Sequence, residues 1–164
     1  MNTSGSQEAC PGCSLLAPRS DGPVHRYMLS SPGCWALYGE VLAREYGDLR
    51  YMAAHRLTVD AYAVQHPGEP CSQAIQSVAI HLISLHLIFE RDYAHGKATR
   101  ALSRLTEGVY EWLTPPAQFE MTIANVARAD SPEEHRSRIE EWARANWQAW
   151  SPHHDQIRTW AERH

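Results

Sequence analysis

Four cysteines and ten histidines in 164 residues are the side chains from which this sequence could assemble a reactive or metal-binding site. Cys10 and Cys13 stand on a Pro-Gly turn, in "CPGC". Such a turn lets both thiolates face one ion and aims backbone N–H groups at the sulfurs. This is half of a tetrahedral zinc site, with two more Cys or His ligands needed from elsewhere. The same spacing suits a dithiol redox pair, although that motif usually opens a helix after a strand, and no strand-like alternation is evident here. A single CxxC is not specific, and an incidental pair on a loose leader is the bland alternative.

Cys34, in "SSPGCW", falls at the third position of a helix that Ser31 and Pro32 would open. There the helix dipole favours a thiolate, which suits a metal ligand or a nucleophile; a buried cysteine filling a core gap is the alternative. Cys71 stands just before another helix, on a Gly-Glu-Pro turn. In "HRLTVDAYAVQHPG", His55, Val59, Tyr62 and His66 project from one helical stripe, each within about 40° of His55. His55 and His66 are three turns apart, about 16 Å, so only one of them could share an ion with Cys10 and Cys13. Asp60 is on another face, as a structural contact or a partner to a ligand. His81 lies within an apolar stripe and therefore needs a partner, from a tyrosine, Asp60 or an ion. His86 is one turn from Glu90, and His153 and His154 open the last helix, where first-turn exposure is the simplest account. The repeated Glu-x-x-His of di-iron bundles, the His-Glu-x-x-His of zinc proteases and a nucleotide-binding glycine loop are all missing from the sequence.

Helices must position these residues. Ser-Pro pairs at 31–32, 131–132 and 151–152 read as N-caps followed by proline at the first helical position, with Glu134 completing a capping box at Ser131. Helices are expected at 32–46, 49–66, 72–92, 97–107, 122–129, 132–149 and 152–162, broken by Gly47, Pro67-Gly68, Gly108 and Pro115-Pro116. The helix at about 72–92 is apolar nearly all round, so it should lie at the centre with the others packed about it. Trp142, Trp147, Trp150 and Trp160 would pack the C-terminal helices onto it. The fold class is all-α, an irregular helical bundle around that central helix, with a turn-rich N-terminal flap over 10–30. Residues 1–9 are read as a disordered tail and 10–164 as one helical domain.

Net charge is −4, which gives no electrostatic warrant for nucleic acid or an anionic membrane. The start lacks the basic and apolar regions of a signal peptide, and the apolar run at 78–89 is too short to span a bilayer. These features point to the cytoplasm, where disulfides are rare and a CxxC more often holds metal. A protein partner or a small molecule remains open.

Together, "CPGC", "HRYMLSSPGCWALYGEVLAREY", "HRLTVDAYAVQHPG", "QSVAIHLISLHLIFERD" and "EEWARANWQAWSPHHDQIRTWA" resemble a family of small bacterial proteins classed as a domain of unknown function. The resemblance runs from about Cys10 to Trp160. It implies one full-length unit and no particular reaction. Its motif positions fall on Cys10, Cys13, His25, Cys34, His55, Asp60, Tyr62, Gln65, His66 and Pro67.

The residues support a small zinc-binding helical protein whose metal is structural. Its ligands would be Cys10, Cys13 and Cys34, with His66 or His55 as the fourth. The segment 10–30 is too turn-rich to order itself by apolar burial, and ion binding would supply that order. Two alternatives stand beside it: a metal-dependent enzyme with a pocket lined by histidines such as His55 and His81, and a CxxC thiol redox protein using Cys10 and Cys13.

Overall fold

The computed structural model describes residues 6–163. Residues 1–5 of the expected disordered tail, and His164, lie outside the described residues.

Helices dominate, as the hydrophobic periodicity implies. They are α1 (Pro32–Gly47), α2 (Leu49–Met52), α3 (His55–Gln65), α4 (Ser72–Phe89), α5 (His95–Leu102), α6 (Ile123–Ala127), α7 (Pro132–Ala149) and α8 (His154–Glu162). At the centre is α4, packed against α3, α5, α7 and α8. By length and composition it could cross a membrane. Here its Leu82, Ile83, Ser84 and Leu85 are fully buried against the other helices. Trp142, Trp147, Trp150 and Trp160 are buried, and the Trp150 Nε1 donates to the Val64 carbonyl, tying the end of α7 to α3.

The caps explain where these helices begin. Ser31 Oγ accepts from the Cys34 amide at 3.2 Å and Ser131 Oγ from the Glu134 amide at 3.1 Å. Two cap expectations are corrected. Glu134 accepts from the Asp130 amide rather than closing a box on Ser131. Ser151-Pro152 opens a 3-10 turn with no side-chain cap, and α8 starts at His154.

The span read as one helix over 49–66 is two. The helical ladder breaks at Ala53 and Ala54, between an exposed four-residue turn and the deeply buried α3. Neither Pro nor Gly marks this break, since burial of α3 and not local preference sets it.

The leader also departs from the expectation of an all-helical chain. Gln7–Ala9 forms β1 and Leu16–Pro18 forms β2, an antiparallel pair in which Glu8 faces Ala17. Order therefore begins inside the segment read as a tail. Three residues a side are too few for the alternation that signals a strand in sequence. What makes the hairpin is the turn between them, closed by Cys10 N–H to Leu15 C=O at 2.8 Å and Ser14 N–H to Cys10 C=O at 2.8 Å.

Candidate metal centre

The hairpin turn carries Cys10 and Cys13 and lays them on the body of the protein. In this turn the Cys13 amide points at the Cys10 sulfur and the Leu15 amide at the Cys13 sulfur. Ser14, just after it, takes φ +63°, the left-handed conformation that returns the chain to the second strand.

Glycine decides how closely the turn can dock. A Cβ on Gly12 would fall 2.5 Å from His66 Cδ2 and 2.9 Å from the Gln65 carbonyl oxygen, and closer still to that of Leu29. Only a residue without a side chain lets the knuckle rest on the C-terminal end of α3. Gly68 adopts φ +73° with its α-carbon against the Tyr27 carbonyl, so the return of the flap over 24–30 is seated in the same way. The Leu29 amide then donates to the His66 carbonyl at 3.3 Å.

The body contributes two more donors. The Ser31-Pro32 cap sets Cys34 at the third position of α1, as its spacing implied. His66 is the residue that ends α3, and its Nδ1 lies 2.7 Å from the Tyr62 carbonyl. A carbonyl accepts only, so Nδ1 carries the proton and Nε2 presents a bare lone pair. That Nε2 is 3.5 Å from the Cys34 sulfur, and the Cys13 and Cys34 sulfurs are 3.8 Å apart. One ligand atom each from Cys10, Cys13, Cys34 and His66 lies within 4.8 Å of all the others. All four residues are buried, none more than 3% exposed. This cluster could hold a metal ion.

Its electrostatics show what the sulfurs lack. Hydrogen bonds from Cys13 and Cys34 pull the Cys10 thiol far below its ordinary value. Donation to Cys10, with burial, pushes Cys13 up to about 12 and raises Cys34 further. Sulfurs packed this closely oppose one another's ionisation. A cation would favour deprotonation of all three.

The surroundings hold the donors in place. Tyr62 OH lies 3.5 Å from the Cys34 sulfur, and the Tyr62 ring stacks between Tyr38 at 3.8 Å and His66 at 4.0 Å. In the flap, His25 Nδ1 accepts from the Tyr27 and Met28 amides, both at 3.3 Å.

The structure does not bring His55 to this cluster. His55 Nδ1 is 2.6 Å from Glu45 Oε2, and its Nε2 is 3.1 Å from Tyr46 OH, at the opposite end of α3 from His66. Fully buried Glu45 also accepts from Thr58 Oγ1 at 2.5 Å and meets His135 Nε2 at 3.0 Å. Sequence reasoning missed both Glu45 and His135, because nothing local marks a glutamate on α1 as the partner of two histidines. Nor do His55 and His81 line one pocket. His81 pairs instead with Asp60, the residue named among its possible partners. Cys71 is exposed and caps α4. Gln65 donates to the Met121 carbonyl and to Asn146. His86 pairs with Glu90, while His153 and His154 donate to the carbonyls of Thr114 and Trp147.

Fold and site together define a mostly helical protein with a buried cluster of three cysteines and one histidine able to hold a metal ion. The chain belongs to a family of unknown function (DUF5946), whose model matches residues 8–151 and so spans all four cluster residues. No curated protein and no solved structure matches it.

Proposed function

We propose that the cluster is a structural zinc site, with Cys10, Cys13, Cys34 and His66 as ligands, and that it fastens the N-terminal flap to the helical body. The donor spacing carries this reading. In tetrahedral zinc, bonds of about 2.3 Å to sulfur and about 2.0 Å to nitrogen set sulfurs about 3.8 Å apart and sulfur and nitrogen about 3.5 Å apart. The cluster has 3.8 Å between the Cys13 and Cys34 sulfurs and 3.5 Å from Cys34 sulfur to His66 Nε2. Burial of all four residues is the mark of a closed site without an open position for substrate. The sulfur-rich set favours zinc over calcium or magnesium. In this reading the protein works through its folded surface, as an interaction module in the reducing cytoplasm, where its thiols stay available to the ion.

The test is metal content together with flap order. Protein purified without chelator should hold one equivalent of zinc by elemental analysis. A strong chelator should expose the 19–27 segment to protease and lower the melting temperature. Well under one equivalent, with melting unchanged after chelation, overturns the reading. Cobalt substitution separates the competing metalloenzyme: a spectrum that shifts on adding small anions would reveal an open coordination position.

A further inference from the structure

A second cluster of polar side chains sits apart from the thiols, on the side of α4 that faces α3. Asp60 is fully buried. Arg56 grips it with both ends of its fork, at 2.9 and 2.6 Å, and Ser84 Oγ donates to Oδ2 at 2.6 Å. Arg56 neutralises the carboxylate, and these bonds fix its plane. Into that plane comes His81 Nδ1, 2.7 Å from Oδ1.

A carboxylate already held by a guanidinium accepts from Nδ1–H, which leaves Nε2 with its lone pair free. Among the described residues, no hydrogen bond engages that nitrogen. His81 keeps 16% of its side chain exposed and is a wall of a 260 Å³ groove with Tyr27, Gln73, Gln76, Ser77 and Ile80. Since Nδ1 turns inward to Asp60, the Nε2 edge is the one left to the groove. A buried acid that sets the tautomer of a histidine whose other nitrogen meets a polar groove is the arrangement of a general base.

We propose that Asp60 and His81 form a proton-accepting dyad serving a small acyl compound bound in this groove, with His81 as the catalytic residue and Asp60 as its positioning residue. The side-chain amide of Gln73 offers N–H groups to a carbonyl oxygen, Gln76 being held by its own amide nitrogen on the Thr106 carbonyl, and Ile80 gives the acyl chain an apolar wall. In the step itself, Nε2 takes a proton from water while the water oxygen bonds to the acyl carbon. The bond from that carbon to the leaving oxygen then breaks, the leaving group departs with the electron pair, and Nε2 passes its proton to solvent. Tyr27 belongs to the flap, so the groove is complete only when the flap is docked. The dyad itself lies wholly within the helical body and does not depend on the metal reading.

The experiment uses the full chain as purified, with 4-nitrophenyl acetate as the probe. Hydrolysis should be saturable, slower in D₂O, and on the order of a hundredfold or more above free imidazole at the same concentration, the low side of what a positioned base contributes. His81→Gln should remove that excess, while replacing the distant His153 should not. Ring-nitrogen NMR of the unmodified protein should show His81 protonated at Nδ1, and Asp60→Asn should mix the tautomers. Full activity in His81→Gln, a rate no better than imidazole, or an Nε2-protonated His81 would each overturn the proposal. The NMR result decides the tautomer even if either variant fails to fold.

Discussion

The flap and the body solve the same problem, burial of polar side chains, in opposite ways. In the body each buried charge meets its complement within the chain. Glu45 has His55, His135 and Thr58, and Asp60 has Arg56, Ser84 and His81. In the flap region, three buried sulfurs and an imidazole face one another with no opposite charge among them. The buried carboxylates of the body are therefore answered within the polypeptide, whereas the flap needs a cation before its sulfurs can all be ionised. Apolar packing tells the same story. Trp142, Trp150, Ile139 and Leu82 are fully buried in the body, and the flap, although far shorter, leaves as many large apolar side chains exposed (Leu16, Val24 and Leu29) as the whole body does (Tyr46, Leu49 and Val109).

The largest effect that tests this contrast lies in the body. Replacing Glu45 with alanine strips the partner from two histidines and a threonine across α1, α3 and α7. Breaking a buried pair by removing one member costs about 3–5 kcal/mol. Urea unfolding of Glu45→Ala should show that loss both with zinc and after chelation, because the network does not touch the sulfurs. A loss that disappears in chelated protein would mean that flap and body form one cooperative unit.

The intermediate effect lies at the seam. Gly12→Ala would place a methyl group against the Leu29 carbonyl and the His66 ring, and overpacking of this kind costs about 1–3 kcal/mol. The strain falls on knuckle docking, so it should be read as zinc affinity about 10- to 100-fold weaker in a competition titration. The urea midpoint of chelated protein should not move. A shift in that midpoint with zinc affinity unchanged would show that the knuckle docks without an ion.

These two sites also show how far residue types and spacing reach. Cys10, Cys13 and Cys34 are legible because their geometry is local: a Pro-Gly turn faces two thiols the same way, and a Ser-Pro cap fixes Cys34 at the helix start. The choice between His66 and His55 is not local. Both lie on one stripe of α3, and what separates them is Glu45, ten residues before His55 on another helix, which occupies His55 while the Tyr62 carbonyl frees Nε2 of His66. Gly12 was legible as a turn former but not as a docking point, because the atoms it must clear belong to α3 and to the far end of the flap. The β-hairpin escaped notice because its strands are three residues long and are held by the knuckle. The central helix, by contrast, announces itself by composition, since residues apolar on every side can be satisfied only at the middle of the bundle.

The smallest effect is at the surface of the body, where complementarity within the chain is present but water competes. Glu90, at the end of α4, accepts from Arg158 of α8 through Nε at 2.9 Å and through the terminal nitrogen at 2.8 Å. Those bonds hold its carboxyl down at about 2, from an ordinary 4.5. A carboxyl depressed by folding contributes its full stabilisation above the unfolded value, and loses it as pH falls through the folded one. The bridge should thus stabilise the protein above about pH 4.5 and fade towards pH 2. Arg158 stands largely in solvent, so screening keeps the contribution small. Glu90→Gln should lower the urea midpoint slightly at neutral pH, less so in high salt, and the variant and native chains should converge near pH 2. If the gap instead persists in acid, the α4–α8 contact depends on packing around Glu90 and not on its charge, and the body's surface follows the same rule as its tryptophan-filled interior.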